Sequence, residues 1–271
     1  MQMIEKTNRS FTTRVFWGFW AVVFGLTLWQ GLAWFVEWHR EVPFPTPGQT
    51  FAEFFRLLQG APLLEFSLWH HLGVSLLRWV EGFGIGLSIG LLYAFLASWW
   101  RPFRLITMPT IEVLQLIPGL AWVPVAILVF GLNHTATVAM IAVTAFPTIA
   151  IAGVMGIQSV DKRFVRAGQM LGADSLTLFW TVKIPGALPH LLSGLRIGLG
   201  SAWRVLVAAE MIVGSGDGLG FAIIQSRWTM DYISAFVCIL VIALAGLGLE
   251  RLVIKPLERR TVQRWGMSHD N

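Results

Sequence analysis

Long apolar runs alternate with short polar ones along this chain. Five or six of the runs are long enough to cross a hydrocarbon core, which takes roughly 20 helical residues. Six are placed here: about Val15–Trp38, Leu76–Ser98, Ile106–Phe130, Ala136–Gly156, Leu191–Val213 and Ile233–Ile254. Between the first two lies a stretch with Pro43, Pro45 and Pro47, then Thr50 and Glu53 at capping-box spacing. Phe51, Phe54, Phe55 and Leu58 follow at helical spacing, so a short helix lying in the membrane interface is expected there. Between the fourth and fifth runs sits a polar island, Asp161–Pro189, with Lys162, Arg163, Arg166 and Lys183.

The island has its own punctuation. Asp161 suits an N-cap, and Phe164, Ala167, Gly168 and Leu171 recur at i, i+3, i+4, i+7, a small apolar face opposite a basic one. Gly172 suits the left-handed stop after a helix, Asp174 or Ser175 a second N-cap, and Pro185 the end of that second helix. The pattern predicts two short helices at an angle, tied to the fifth run by Gly186–Pro189. Ala167 and Gly168 are small enough to admit a partner surface. A structured segment of this length between spans usually carries function.

Composition agrees with a membrane protein of one helical domain, residues 1–271. The chain is 55% hydrophobic and 13% charged, about half the usual charged share, and its mean hydropathy is +0.66. The net charge of +5 is explained by orientation rather than by nucleic acid. With the N-terminus inside and six spans, the inside segments hold Lys6, Arg9, Arg14, Arg101, Arg104, Lys162, Arg163, Arg166, Lys183, Arg251, Lys255, Arg259, Arg260 and Arg264. The outside segments hold Arg40, Arg56 and Arg227, fourteen against three. Both termini and the island are therefore expected in the cytoplasm, and the first run is read as an uncleaved span of an inner (plasma) membrane protein. The single cysteine, Cys238, excludes an intrachain disulfide.

Ionisable residues in or at the ends of spans are costly unless paired or hydrated. Arg78 and Glu81, at i and i+3, are read as a direct pair that serves packing. Glu112, Arg204 and Glu210 are candidates for the pathway or a subunit interface, with interhelical pairing the equal alternative for the latter two; Gln115 and Trp122 join the pathway set. Trp203 and Trp228 are weaker candidates for a solute site, and Trp99 and Trp100 mark an interfacial belt. Gly82, Gly86 and Gly90, like Gly194 and Gly198, form small-residue ridges for close helix packing. Pro118 and Pro124 should kink the third span, and Pro147 the fourth. The glycine-rich Gly214–Gly220 is read as a flexible outer turn with a gating or receptor-docking role.

Catalysis by this chain is not indicated. No H-E-x-x-H, G-x-S-x-G or Cys-x-x-Cys pattern occurs, and no lysine follows glycine, so there is no P-loop. No metal or cofactor site is expected in the chain itself.

Several segments in order resemble one family. Arg166-Ala167-Gly168, then Gly172, then Ile184-Pro185 resembles the EAA motif of ABC importer permeases. Ile117–Pro124, Phe130-Gly131, Gly186–Pro189, Gly194–Gly200, Ala208–Met211 and Gly218–Gly220 resemble the nitrate/sulfonate/taurine-type branch, the likeness covering about residues 70–260. The resemblance implies a type I importer permease: six transmembrane helices, N-in and C-in, with a cytoplasmic coupling helix at about Val165–Ala173. Val165, Arg166, Ala167, Gly168, Leu171, Gly172, Ala173, Ile184 and Pro185 are thereby assigned to ATPase coupling. It further implies two cytoplasmic ATP-binding subunits, which would hold ATP and Mg, a second permease copy (a homodimer), and an external solute-binding protein that delivers a small solute. Closure of the ATPases would drive the coupling helices together and open the spans outward. The family's leading Glu is Arg166 here and its second Ala is Gly168; Gln115-Leu116 stands where relatives often have Arg-Pro. The rival readings are an ion-coupled secondary transporter, which would need inverted repeats, and an intramembrane enzyme, which would need a nucleophile or metal cluster.

Overall fold

A computed structural model describes residues 2–214 and 216–261; Ser215 and positions 262–271 of the basic tail, with Arg264, lie outside the described residues. Twelve helices and one small hairpin follow in order: α1 Gln2–Arg40, α2 Pro47–Leu58, β1 Pro62–Leu63, β2 Phe66–Ser67, α3 Leu68–Trp99, α4 Arg101–Leu116, α5 Val123–Phe130, α6 His134–Ser159, α7 Lys162–Met170, α8 Ser175–Leu178, α9 Ile184–Val213, α10 Leu219–Trp228, α11 Tyr232–Leu249 and α12 Lys255–Arg260. Short 3₁₀ and π turns join α4 to α5, α8 to α9 and α11 to α12. Among the described residues, five helical stretches are long and apolar enough to cross a membrane: Phe16–Arg40, Leu68–Trp99, His134–Ser159, Ser175–Val213 and Tyr232–Glu258. The third expected span is broken. Arg101–Leu116 and Gly119–Phe130 meet at a bend of 101°, with Pro118 at the break, where it holds an extended ψ of 135°.

The core is a three-helix layer with α6 in the middle, between α3 and α9. Its closeness comes from the two glycine ridges. A Cβ on Gly82 would lie 2.6 Å from Ile141 Cβ, and one on Gly194 would collide with Ala152. Backbone can therefore lie against backbone, as small-residue ridges allow in lipid. The contacts run in register, Gly82 to Ile141, Gly86 to Ala145, Gly90 to Ile149 and Ala94 to Gly153, so α3 and α6 are parallel. Gly198 meets Ile149 while Gly156 meets Ala187, so α6 and α9 are antiparallel. Trp79, Phe83, Ile141, Ile149, Leu199, Trp203 and Leu206 fill this layer. Trp203 is thus a core residue, its Nε1–H donating to the Ile242 carbonyl at 3.2 Å, while Trp228 is exposed beneath the Arg227 guanidinium. α1 stands at the margin, most of its described side chains facing outward; Trp29 ties it in through the Pro45 carbonyl and by stacking on Phe236.

Two local expectations are corrected. The capping box of α2 is Thr46 with Gln49, not Thr50 with Glu53. Pro47 at the first helical position has its φ already set for the helix and starts it one turn earlier. Thr50 is then buried in the helix, and Glu53 pairs with Arg56 at 2.6 Å. The face of α2 turned inward carries Leu57, with Phe54 and Leu58 partly covered; Phe51 and Phe55 point out. Nor does Pro185 end the second island helix. α8 runs through a π turn, Phe179–Lys183, into α9, with Pro185 in the first turn of α9. A proline has no N–H for the carbonyl four residues back, and the widened turn adapts: the Ile184 N–H donates five residues back, to Phe179.

Candidate functional site

The island folds as its punctuation suggests up to Gly172. Asp161 caps α7 by accepting from the Arg163 amide at 2.8 Å. Gly172 adopts φ +80°, and the Gly172 and Ala173 amides close the helix on the Gln169 and Gly168 carbonyls at 3.0 and 3.1 Å. Asp174 then caps α8 through the Thr177 amide at 3.3 Å. Its bonds from Thr177, side chain first, hold the Asp174 carboxyl below the usual carboxylate range.

The expected apolar face of α7 divides in two. Gly168 turns inward: a Cβ there would overlap the Leu178 side chain, with Val182 beyond it. Its smallness seats α7 on α8 and the π turn, and does not admit a partner. Phe164, Ala167 and Leu171 point away from the protein, Phe164 66% and Leu171 87% exposed, with neighbouring Met170 at 89%. A helix otherwise polar thus holds out apolar side chains at a fixed angle. Arg166 is also exposed, Val165 and Ala173 are half-buried, and Ile184 and Pro185 are partly buried at the start of α9.

The opposite end of the bundle contains a buried ionic clasp. Arg78 of α3 and Glu210 of α9 have side chains only 3% and 0% exposed, 2.8 Å apart. Arg78 Nη2 also donates to Asp217 Oδ1 at 2.5 Å, and Nη1 to the Asp217 carbonyl at 2.9 Å. Glu210 is further held by Ser75 Oγ, 2.9 Å from both carboxylate oxygens, and by the Gly220 N–H at 2.9 Å. The Leu219 N–H donates to Ser75 Oγ at 2.9 Å. The Gly218 N–H donates to His71 Nδ1 at 3.1 Å, so the His71 proton sits on Nε2, facing the Leu63 carbonyl at 3.2 Å. Gly218, at φ +106°, is irreplaceable here, because a Cβ would strike Glu210 and lie 2.7 Å from Arg78 Nη1.

The clasp corrects two expectations. Arg78 does not pair with Glu81; Glu81 meets His134 at 2.5 Å instead. The turn around Gly216 is not a free flap. Its amides at Gly218, Leu219 and Gly220 are spent on α3 and α9 side chains. His71, Ser75 and Arg78 lie at i, i+4, i+7 along one face of α3. That polar stripe was the available signal, and a nearer acid three residues on concealed it.

The pathway candidates are not gathered at one place. Glu210 is sealed in the clasp. Glu112 and Gln115 are exposed on α4, and Arg204 is exposed on α9, where Nη2 donates to Ser201 Oγ at 3.2 Å. Trp122 packs beside Val205 and Ala209. The Gly119–Trp122 turn thereby reaches α9 one residue from Arg204. Among the described residues no cluster of His, Cys, Asp or Glu could hold a metal ion.

A profile of the family described as "Binding-protein-dependent transport system inner membrane component" matches residues 84–260. A probable ABC transporter permease of Brucella melitensis biotype 1 is 34% identical over 201 residues, 74% of this chain and 81% of that one. The taurine transport system permease protein TauC of Escherichia coli K12 is 33% identical over 216 residues, 80% of this chain and 78% of that one. Among solved structures, an amino acid ABC transporter crystallised with histidines superposes with TM-score 0.62 at 21% identity, covering 80% of this chain and all of that chain. At that identity the likeness speaks for the fold alone.

Proposed function

We propose that this chain, which belongs to the family of binding-protein-dependent transport system inner membrane components, passes a small sulfonate-class anion inward and is driven through α7. The chain is the membrane-spanning permease of an ABC importer, not itself catalytic, and works with ATP-binding and solute-binding partners. Two ATPase subunits carry ATP and Mg and grip α7, and two copies of the permease enclose the route. The observation that carries this reading is α7 itself. Phe164, Ala167 and Leu171 are held outward, and Gly168 locks the helix to α8, and so to α9, through Leu178. A push on α7 is transmitted directly to a membrane helix.

Six spans support the orientation. The parallel run of α3 and α6 supports this reading, in which α4 with α5 recrosses the membrane as one broken span. On this reading the N-terminal end of α1 and the C-terminal end of α11 lie on the α7 side, which the positive-inside rule makes the cytoplasmic one. The exposed cation of Arg204, beside the broken span, suits an anion's route, as does the taurine relative.

The test is reconstitution of the chain with its ATPase and binding protein in vesicles, with labelled taurine outside and ATP within. Ala167→Glu and Leu171→Asp alter exposed positions and should leave thermal stability unchanged. Each should weaken ATPase retention about thirtyfold or more, as loss of an interface anchor does, and stop uptake. Full retention of the ATPase by both variants would refute the coupling role. Coupled ATP hydrolysis without taurine uptake would refute the substrate alone.

A further inference from the structure

Two cavities at the α7 end adjoin and differ sharply in character. One, of about 360 Å³, opens between the ends of α3, α6 and α7; Arg104, Lys162, Arg166 and Lys183 line it, together with Ser98 and Gln158, and no acid does. The other, of about 280 Å³, is almost wholly apolar, with Leu91, Phe95, Trp180 and Leu191 in its walls. Ile157 belongs to both. Along α3, Leu91, Ala94 and Phe95 line the apolar cavity and Ser98 the basic one, at i, i+3, i+4, i+7 on one helix face. Along the strand-free stretch into α9, Lys183 is basic-side and Ile184, Ala187 and Leu191 apolar-side. The pair forms one groove. Leu91 to Ser98 is about 10 Å along the helix axis at 1.5 Å per residue, about two thirds of the roughly 15 Å of one leaflet's hydrocarbon.

We propose that this groove binds one anionic glycerophospholipid, its phosphate among the four cations and an acyl chain against Leu91, Phe95 and Leu191. Charge complementarity carries the headgroup. With the Gln158 carbonyl turned toward it, Arg104 is held by Nε at 3.3 Å and Nη1 at 2.8 Å, a neutral partner that fixes the guanidinium without cancelling its charge. A phosphate diester is the complement to such a fork flanked by point charges. Ser98 Oγ is buried at the same wall and finds no hydrogen-bond partner among the described residues, so it adds a hydroxyl donor that wants an acceptor. The continuing apolar groove distinguishes a lipid from a free anion, since a soluble phosphate would leave it uncovered. Basic pockets between helices on the cytoplasmic side recognise anionic headgroups on these terms. The proposal rests on membrane placement and on this geometry; transport and ATPase docking do not enter it.

Full-length chain purified in detergent, without ATPase or binding protein, is titrated with phosphatidylglycerol, with phosphatidylcholine of the same chains, and with inorganic phosphate, and bound lipid is read by native mass spectrometry beside the unfolding midpoint. Phosphatidylglycerol should be retained as one tight copy and raise the midpoint, while phosphatidylcholine and inorganic phosphate should not. The double change Lys162→Gln/Lys183→Gln should weaken that copy about thirtyfold, from two basic residues' attraction to anionic lipid. Arg163→Gln removes a charge from α7 outside the groove and should change nothing. Equal retention of the two lipids, or of phosphatidylglycerol by the double variant and Arg163→Gln, would overturn the proposal. A midpoint rise with inorganic phosphate equal to that with phosphatidylglycerol would overturn the lipid as occupant in favour of a free anion.

Discussion

Replacing Glu210 by alanine deletes the acceptor shared by Arg78, Ser75 and the Gly220 amide, and it does so where neither Arg78 nor Glu210 reaches water. Breaking a buried ion pair by removing one partner costs about 3–5 kcal/mol, because a charge is left behind in a medium that solvates it poorly. At about 2–4 °C of midpoint per kcal/mol for chains of this size, Glu210→Ala should unfold about 6–20 °C earlier. Arg78→Met should do the same from the other side, stranding Glu210 and cutting the tie to Asp217. The two changes together leave no buried countercharge. The double variant should therefore lose about 3–5 kcal/mol, not the roughly 6–10 kcal/mol of the summed singles. Unfolding in detergent, followed by tryptophan fluorescence, reads this directly, since Trp79, next to Arg78 in sequence, is buried in the core layer. Midpoint losses below about 2 °C for both singles would refute the clasp as a stabilising unit. Losses that simply add in the double variant would refute the coupling between the two side chains.

Three further outcomes follow from local geometry. Gly218→Ala should destabilise the protein more than Gly216→Ala: both sites have positive φ, costing about 1–3 kcal/mol each, but only at Gly218 does the added Cβ meet Glu210 and Arg78; thermal midpoints of the two variants compare them. Gly168→Val should cost about 1–3 kcal/mol by overpacking against Leu178, and Leu178→Ala in the same chain should restore part of the loss by opening the space, again read as a midpoint. Because the Asp174 carboxyl is held below its ordinary range, its cap on α8 is at full strength above the unfolded value near 4 and is lost as pH falls through the lower folded value; hydrogen exchange at Thr177 should quicken over that acid window, and Asp174→Asn should remove the pH dependence.

How much of this was legible in the chain depended on the range over which each force acts. The spans were legible because burial in hydrocarbon requires long apolar runs, and the break in the third was legible because Pro118 sits where the turn must come. The glycine ridges were legible as ridges, since spacing alone defines a helix face; which helix they meet was not. The cap of α2 was present in the sequence as Thr46-Pro47 with Gln49, but an overlapping Thr50/Glu53 pair one turn later offered the same spacing, and only the proline's preset φ chooses between them. The clasp was the least legible feature. It joins residues 132 and 139 positions apart, whereas Glu81 lies three residues from Arg78 and looks sufficient.

The same contrast explains where the functional weight falls. Local rules placed α7, its caps and its stop, because each of those interactions spans five residues or fewer. They could not say which side of α7 faces out, since that is decided by Leu178 and Val182 filling the space above Gly168. Reading Gly168 as part of a partner-facing stripe and reading it as an internal seat lead to opposite designs: an acid placed there would break the fold, while an acid at Ala167 tests the partner. The structure also separates the two charged groups that looked alike in the sequence. Glu210 is consumed in holding α3, α9 and the Gly218 turn together, so its loss should appear in stability. Arg204, exposed on the same helix six residues earlier, donates to Ser201 and adds little to packing, so Arg204→Gln should leave the midpoint within about 2 °C while lowering anion uptake. A midpoint loss comparable with that of Glu210→Ala would make Arg204 another structural tie and remove it from the route.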